Sequence, residues 1–349
     1  MDTVAADTFT VTIDGREVKV RKGISILQAT REAGLYIPNL CNLPHMPPYA
    51  GCRMCVVEVE KMPGVQTSCT TMVADGQNIT IDSEKLNAIR RNVMELIVID
   101  HPWKCLTCYR EPHCPPFVPC LRDAIVTDRC VQCPNNKRCE LQDVTEYINT
   151  RGLERFAEEE RSFYNWETVP IEAENPFIER DQNKCILCTR CTQACNGIRY
   201  NGAIELGFRG PFAAIITEFD KPLHETVCEF CGDCAAVCPT SAFMDVTLKF
   251  KGREDVSVRS ACGHCGVGCG LRVDAKGVQI IGVFGDETNP VNGSEVCVRG
   301  RYDWGFIQSP LRIRKPLFRV SRSPQARPQE VPWDRALATV AERLNAITA

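Results

Sequence analysis

Cysteine is the residue in excess in this 349-residue chain, at 23 positions, and it stands in short repeated spacings rather than scattered. Thiols so placed can pair as disulfides, bind metal or attack a substrate. An odd count excludes complete intramolecular pairing. The opening residues MDTVAADTFT carry neither a basic stretch nor an apolar one, so no secretory signal is expected and the expected compartment is the reducing cytoplasm, where disulfides are rare. Metal binding remains, and the gaps between thiols choose between zinc and iron–sulfur clusters.

The 23 cysteines and one histidine sort into six sets of four. Cys41, Cys52, Cys55 and Cys69 read C-x10-C-x2-C-x13-C, close to a plant-type [2Fe-2S] loop but with a longer first gap. Gly51 ahead of Cys52 allows the backbone to approach cluster sulfides closely. His101, Cys105, Cys108 and Cys114 form a second set and Cys120, Cys130, Cys133 and Cys139 a third, each suited to a [4Fe-4S] cluster. Both carry C-x2-C-x5-C, so partners exchanged between these two sets stay open, and His113 competes with His101 for the histidine position. Cys185, Cys188, Cys191 and Cys195, then Cys228, Cys231, Cys234 and Cys238 followed by Pro239, give the bacterial two-cluster ferredoxin spacing. There each fourth cysteine serves the other cluster, which joins Cys238 to the first triplet and Cys195 to the second. Cys262, Cys265, Cys269 and Cys297 close the account as C-x2-C-x3-C-x27-C. The expected cofactors are one [2Fe-2S] and five [4Fe-4S] clusters, with no thiol left as a nucleophile and no catalytic residue expected. A zinc-rich binding module is the competing reading, and it would be colourless.

The elements that must hold these residues are legible in part. Residues 8 to 40 predict a hairpin about Asp14-Gly15 and a helix from Ser25 to Ala33 stopped by Gly34. Cys55 to Glu60 and Asn78 to Asp82 supply further strands. Ser83 caps a helix whose apolar residues Leu86, Ile89, Val93 and Leu96 recur at helical spacing. Residues 100 to 150 show little periodicity, as expected of a segment ordered by metal, and 154 to 182 read as a linker. CILCTRCTQAC and CEFCGDCAAVC repeat about 43 residues apart, and the tail from Val331 is helical. The fold class is α+β and multi-domain. The boundaries fall at 1–82, 83–150, 151–182 (linker), 183–250, 251–320 and 321–349. In the last, Trp333, Leu337, Val340, Leu344 and Ile347 share one helix face and mark an expected docking helix.

A net charge of -3 gives no basic surface for nucleic acid, and no apolar run is long enough to span a membrane. HPWKCLTC, RCELQD, the ferredoxin repeat and the long-loop [2Fe-2S] site resemble the large iron–sulfur subunit of respiratory complex I. The same pattern is similar to the amino-terminal part of formate dehydrogenase alpha chains and iron-only hydrogenases, including electron-bifurcating ones. Residues 262 to 349 resemble the start of a molybdopterin oxidoreductase, in which the position of Arg299 lies beside the pterin. The resemblance implies a β-grasp [2Fe-2S] domain, a His/Cys [4Fe-4S] segment, a two-cluster ferredoxin domain and a small molybdopterin-type [4Fe-4S] domain. It also implies an electron-transfer subunit working between a flavin (FMN) NAD(P)H-binding subunit, or ferredoxin, and a separate catalytic subunit of hydrogenase or formate dehydrogenase type. The alternative is the cluster-bearing part of a split molybdenum or tungsten pterin oxidoreductase.

Overall fold

A computed structural model describes residues 8–152, 163–319, 321, 323 and 325–348. The chain divides into two compact units, Met1–Tyr302 and Asp303–Ala349. Part of the expected linker, 153–162, lies outside the described residues.

The first unit opens with the expected hairpin. β1 (Thr8–Ile13) and β2 (Arg16–Arg21) pair with Val11 opposite Val18, and Asp14 and Gly15 turn between them at positive φ. α1 (Ile26–Glu32) starts where the Ser25 hydroxyl accepts the Gln28 N–H. β3 (Val56–Val59), β4 (Gln66–Thr67) and β5 (Asn78–Thr80) complete one sheet in the order β2-β1-β5-β3-β4, with β1 and β5 parallel. Val11, Ile13, Ile26, Leu27, Val57 and Ile79 fill the space between sheet and helix, and Cys55 and Cys69 belong to the same core.

α2 (Glu84–Val98) is capped by Ser83 as expected, but its buried face differs from the apolar stripe read in the sequence. Leu86, Arg90, Met94 and Val98 point inward, while Leu96 is exposed. A guanidinium occupies the core side because it reaches carbonyl oxygens of the neighbouring sheet. Residues 100 to 139 are mainly turns, closed by α3 (Glu140–Tyr147). Trp103, Leu106, Leu141, Val144 and Ile148 pack there with Met94 and Val98.

β6 (Ile178–Arg180) pairs with β9 (Phe243–Asp245), so the end of the expected linker is a strand of the ferredoxin-like region. Between them lie α4 (Arg190–Thr192), the hairpin of β7 (Ile204–Gly207) and β8 (Ala214–Thr217), and α5 (Asp233–Ala236). β10 (Val256–Ala261), β11 (Gly270–Lys276) and β12 (Gln279–Gly285) form a meander that the cysteine spacing does not announce, followed by α6 (Val298–Tyr302). Met244 and Leu248 pack against Ile281 and Phe284 and join this sheet to the ferredoxin-like region.

In the second unit β13 (Leu317–Phe318) pairs with β14 (Gln329–Glu330), and α7 (Trp333–Thr348) follows with Trp333, Leu337, Val340, Leu344 and Ile347 all exposed. Among the described residues no helix is long and apolar enough to cross a membrane.

Candidate metal centres

All 23 cysteines are free thiols, and the fold gathers them in groups. Cys41 accepts the backbone N–H of Cys52 at 3.5 Å. Cys55 bonds to Cys69, whose thiol also lies in the field of Cys41 and Cys52. The four therefore face one another between β3 and the loop after α1. Each hydrogen-bonded pair shares its proton unequally: Cys41 and Cys55 are pulled down to about 6, while Cys52 and Cys69 are pushed up.

In the ferredoxin-like region the fourth cysteine of each run lies beside the triplet of the other. Cys185, Cys188, Cys191 and Cys238 line one small cavity. Cys234 lies in the field of Cys231, Cys228 and Cys195. The two C-x2-C loops are built alike: Leu187 and Phe230 adopt left-handed backbone at φ 53° and 57°. Each donates its N–H to the preceding cysteine sulfur at 3.4 Å. Such strain is held at functional loops when the surroundings impose it. Burial pushes these thiols up, Cys185 to about 11 and Cys188 and Cys231 to about 12. Loading metal must then release protons.

The sixth group lies at the surface. Cys269 is in the field of Cys262, Cys265 and Cys297, the Cys262 N–H donates to the Cys269 carbonyl at 2.8 Å, and Cys265 and Cys297 are exposed. Arg299 is exposed beside them.

Between these regions lie His101 and the seven thiols from Cys105 to Cys139. Cys105, Cys108 and Cys114 share a cavity with Cys120, and His101 is not on its wall. Arg129 donates to the Cys114 sulfur at 2.6 Å and closes one side. Cys130 lies in the field of Cys139 and Cys133, and it also bonds to Cys105, so the two groups touch. His101 is buried next to Lys184 and Asp181, and Lys184 is in turn in the field of Cys133. Burial holds the His101 pKa down to about 4, against a hydrogen bond to the Lys184 backbone, so the ring is neutral. Its Nδ1 has no partner among the described residues. A neutral imidazole fixed at one nitrogen, with the other lone pair buried and free, suits a metal ligand. His113 is exposed.

The donor chemistry fits iron–sulfur clusters better than zinc. Two C-x2-C loops turn a backbone N–H onto cysteine sulfur, and the fourth cysteine of each run lies beside the triplet of the other, an exchange of ligands that paired clusters use and a single zinc ion does not require.

Arg190 and Glu140, which the cysteine spacing does not single out, stand with the ligand thiols where the groups adjoin. Arg190 lies near Cys41 of the first group and near Cys188 and Cys238 of the next. Cys191 is in the field of Cys234, and Cys139 in that of Cys238. The Pro239 carbonyl accepts the Glu140 N–H at 2.9 Å.

Fold and site together define a multi-domain iron–sulfur protein. Residues 6–84 match the 2Fe-2S iron-sulfur cluster binding domain, 184–242 the 4Fe-4S dicluster domain and 255–309 the molybdopterin oxidoreductase Fe4S4 domain. The chain is homologous to the NADPH-Fe(3+) oxidoreductase subunit alpha of Geobacter sulfurreducens, 32% identical over 97% of this chain and 35% of that protein. It is 31% identical to an NADH-quinone oxidoreductase subunit of Rhizobium meliloti, over 88% of this chain and 33% of that one. The chain thus spans about a third of the length of the curated relatives it matches. Its fold is similar to that of a chain in the crystal structure of an NAD+-reducing [NiFe]-hydrogenase in the H2-reduced state. The TM-score is 0.54 at 24% identity, covering 69% of this chain and 89% of that one.

Proposed function

We propose that this chain is the electron-relay part of a multisubunit NAD(P)-linked oxidoreductase. The observation that carries the reading is the proximity of the thiol groups: Arg190 lies in the field of both the first group and the ferredoxin pair, Cys191 in that of Cys234, and Cys139 in that of Cys238. Clusters held there would supply one-electron transfer. The residues of the chain hold them, bury them and set their surroundings. A surface cleft walled by Tyr49, Cys52, Leu96, Trp166, Cys185 and Cys188 exposes two groups at once, which suits the approach of a flavin (FMN) NAD(P)H-binding subunit or of ferredoxin. A catalytic subunit of hydrogenase or formate dehydrogenase type would take the other end. Counting iron and accepted electrons in the anaerobic protein tests the reading.

The ligand sets that follow are one [2Fe-2S] group at Cys41, Cys52, Cys55 and Cys69, and five [4Fe-4S] groups. In the middle segment the shared cavity supports Cys105, Cys108, Cys114 and Cys120 as one set. His101 then falls to Cys130, Cys133 and Cys139. Neutral imidazole in place of a thiolate removes a negative charge and favours the reduced state, as in Rieske centres. Replacing His101 by Ala is expected to change one [4Fe-4S] signal in electron paramagnetic resonance. Cys133→Ala should perturb that same signal, and Cys108→Ala another. A His101→Ala spectrum matching Cys108→Ala would restore the partition by spacing, and an effect of His113→Ala alone would remove His101 from the ligands.

A second reading is favoured by the exposure of Cys265, Cys297 and Arg299 in a region that matches a molybdopterin oxidoreductase domain. In it a molybdenum or tungsten pterin domain covers this edge and Arg299 faces the pterin. Pterin bound to the purified complex distinguishes it.

A further inference from the structure

The two halves of the ferredoxin repeat carry opposite charges at one equivalent position. Two residues after Cys188 stands Arg190, and two residues after Cys231 stands Asp233. Both are buried, and each pairs with a residue from outside the repeat. Arg190 Nη1 donates to Glu140 Oε1 at 2.7 Å, while Asp233 Oδ1 accepts from Arg301 Nη2 at 2.6 Å. Arg301 also donates through Nε to the Cys231 carbonyl at 2.6 Å, and its guanidinium lies 5.3 Å from the Phe284 ring centre.

The neighbouring position shows that the second pair is built into the repeat. Thr189 adopts left-handed backbone at φ 61°, so that conformation alone does not demand glycine. Its counterpart is Gly232 at φ 77°, where a Cβ would meet Tyr302 Oη at 2.2 Å and Arg301 Cδ at 2.5 Å. Glycine at 232 makes room for Arg301 against the loop.

The pairs are unequal in their surroundings. The Arg190 side chain is 8% exposed but that of Glu140 is 46%, so water screens the carboxylate more than the guanidinium. Asp233 and Arg301 are both buried, at 8% and 1%. Buried Arg190 Nε and Arg301 Nη1 have no partner among the described residues, and the Asp233 carboxylate also lies against the Cys231 thiol. Other charges nearby are Arg180 beside Cys185, and Arg199 beside Cys231, the latter bound to Glu229 at 3.1 Å and Glu295 at 3.7 Å.

We propose that Arg190 and Asp233 are opposed tuning residues. Arg190 raises the reduction potential of the cluster held by Cys185, Cys188, Cys191 and Cys238; Asp233 lowers that of the cluster held by Cys228, Cys231, Cys234 and Cys195, and Arg301 offsets Asp233. Cluster charge and hydrogen bonding to sulfur set such potentials, and a fixed positive charge favours the added electron. This rests on the relay reading.

The test is a potentiometric titration of the full chain, followed by electron paramagnetic resonance, with iron content measured on each variant. Asp233→Asn, which keeps the side-chain volume, is expected to raise the reduced-to-oxidised ratio of one [4Fe-4S] signal by about tenfold at fixed potential, or about 59 mV. Arg301→Met should move that same signal the opposite way, and Arg190→Met should lower a different signal. A purely mechanical clamp would give shifts of one sign or none. An unchanged midpoint in iron-replete Asp233→Asn overturns the proposal, even if Arg301→Met loses iron. Absence of any cluster signal in the wild type would instead overturn the iron–sulfur reading itself.

Discussion

Replacing Cys238 by Ala is expected to cost about four iron atoms per chain and to remove the signal that Cys188→Ala removes. It should spare the signal lost in Cys231→Ala. The reason is the cavity that Cys238 shares with Cys185, Cys188 and Cys191, although it lies in sequence beside the second triplet. Phe243 N–H donates to the Cys238 sulfur at 3.5 Å, and the thiol is also within 3.7 Å of the Thr240 hydroxyl, so its position is fixed by residues of β9 and the loop before it. Cys195→Ala should give the reciprocal result, since Cys195 stands with Cys228, Cys231 and Cys234. A Cys238→Ala protein whose spectrum matches Cys231→Ala would place each fourth cysteine with its own triplet and refute the interlock.

Arg90→Ala is expected to destabilise the amino-terminal domain by about 3 to 5 kcal/mol. Arg90 is fully buried. Its Nη2 donates to the Val56 carbonyl at 2.8 Å and the Ile81 carbonyl at 2.7 Å, and Nη1 to Asn87 at 2.9 Å. One side chain thus ties α2 to β3, which follows Cys55 directly, and to the chain leaving β5. Truncation leaves two carbonyls buried without donors and opens a cavity. Arg90→Lys keeps the charge but loses the fork that reaches both carbonyls, and should fall between. Thermal unfolding followed by circular dichroism checks this, with about two iron atoms lost on purification as a second sign. A loss under about 1 kcal/mol would show that the sheet and α2 hold together without the guanidinium.

Much of the fold was legible because it is written in short-range chemistry. The Asp14-Gly15 turn, the serine caps at 25 and 83 and the cysteine gaps act over a few residues, and the structure carries each of the turns and caps. Other features depend on contacts far along the chain. A hydrophobic period could not put Arg90 on the inner face of α2, since its partners are carbonyls 34 and 9 residues away. The β10 to β12 meander was hidden because β10 is exposed along its whole length and a register shift between Asp274 and Ala275 interrupts β11. The middle thiols follow no periodic element, so spacing left two partitions open, and only the fold shows that Cys105, Cys108, Cys114 and Cys120 line one cavity. Aligning the repeats would have revealed Arg190 opposite Asp233, but not their partners 50 and 68 residues away.

The most direct measurement of the central claim combines iron and sulfide analysis with an anaerobic reductive titration of the same sample. Six filled sites hold about 22 iron atoms and as many acid-labile sulfides, and accept about six electrons per chain, one per cluster. A brown protein reaching those values fits the relay described here. A protein that saturates near 12 iron atoms, or a colourless one carrying stoichiometric zinc, would contradict it.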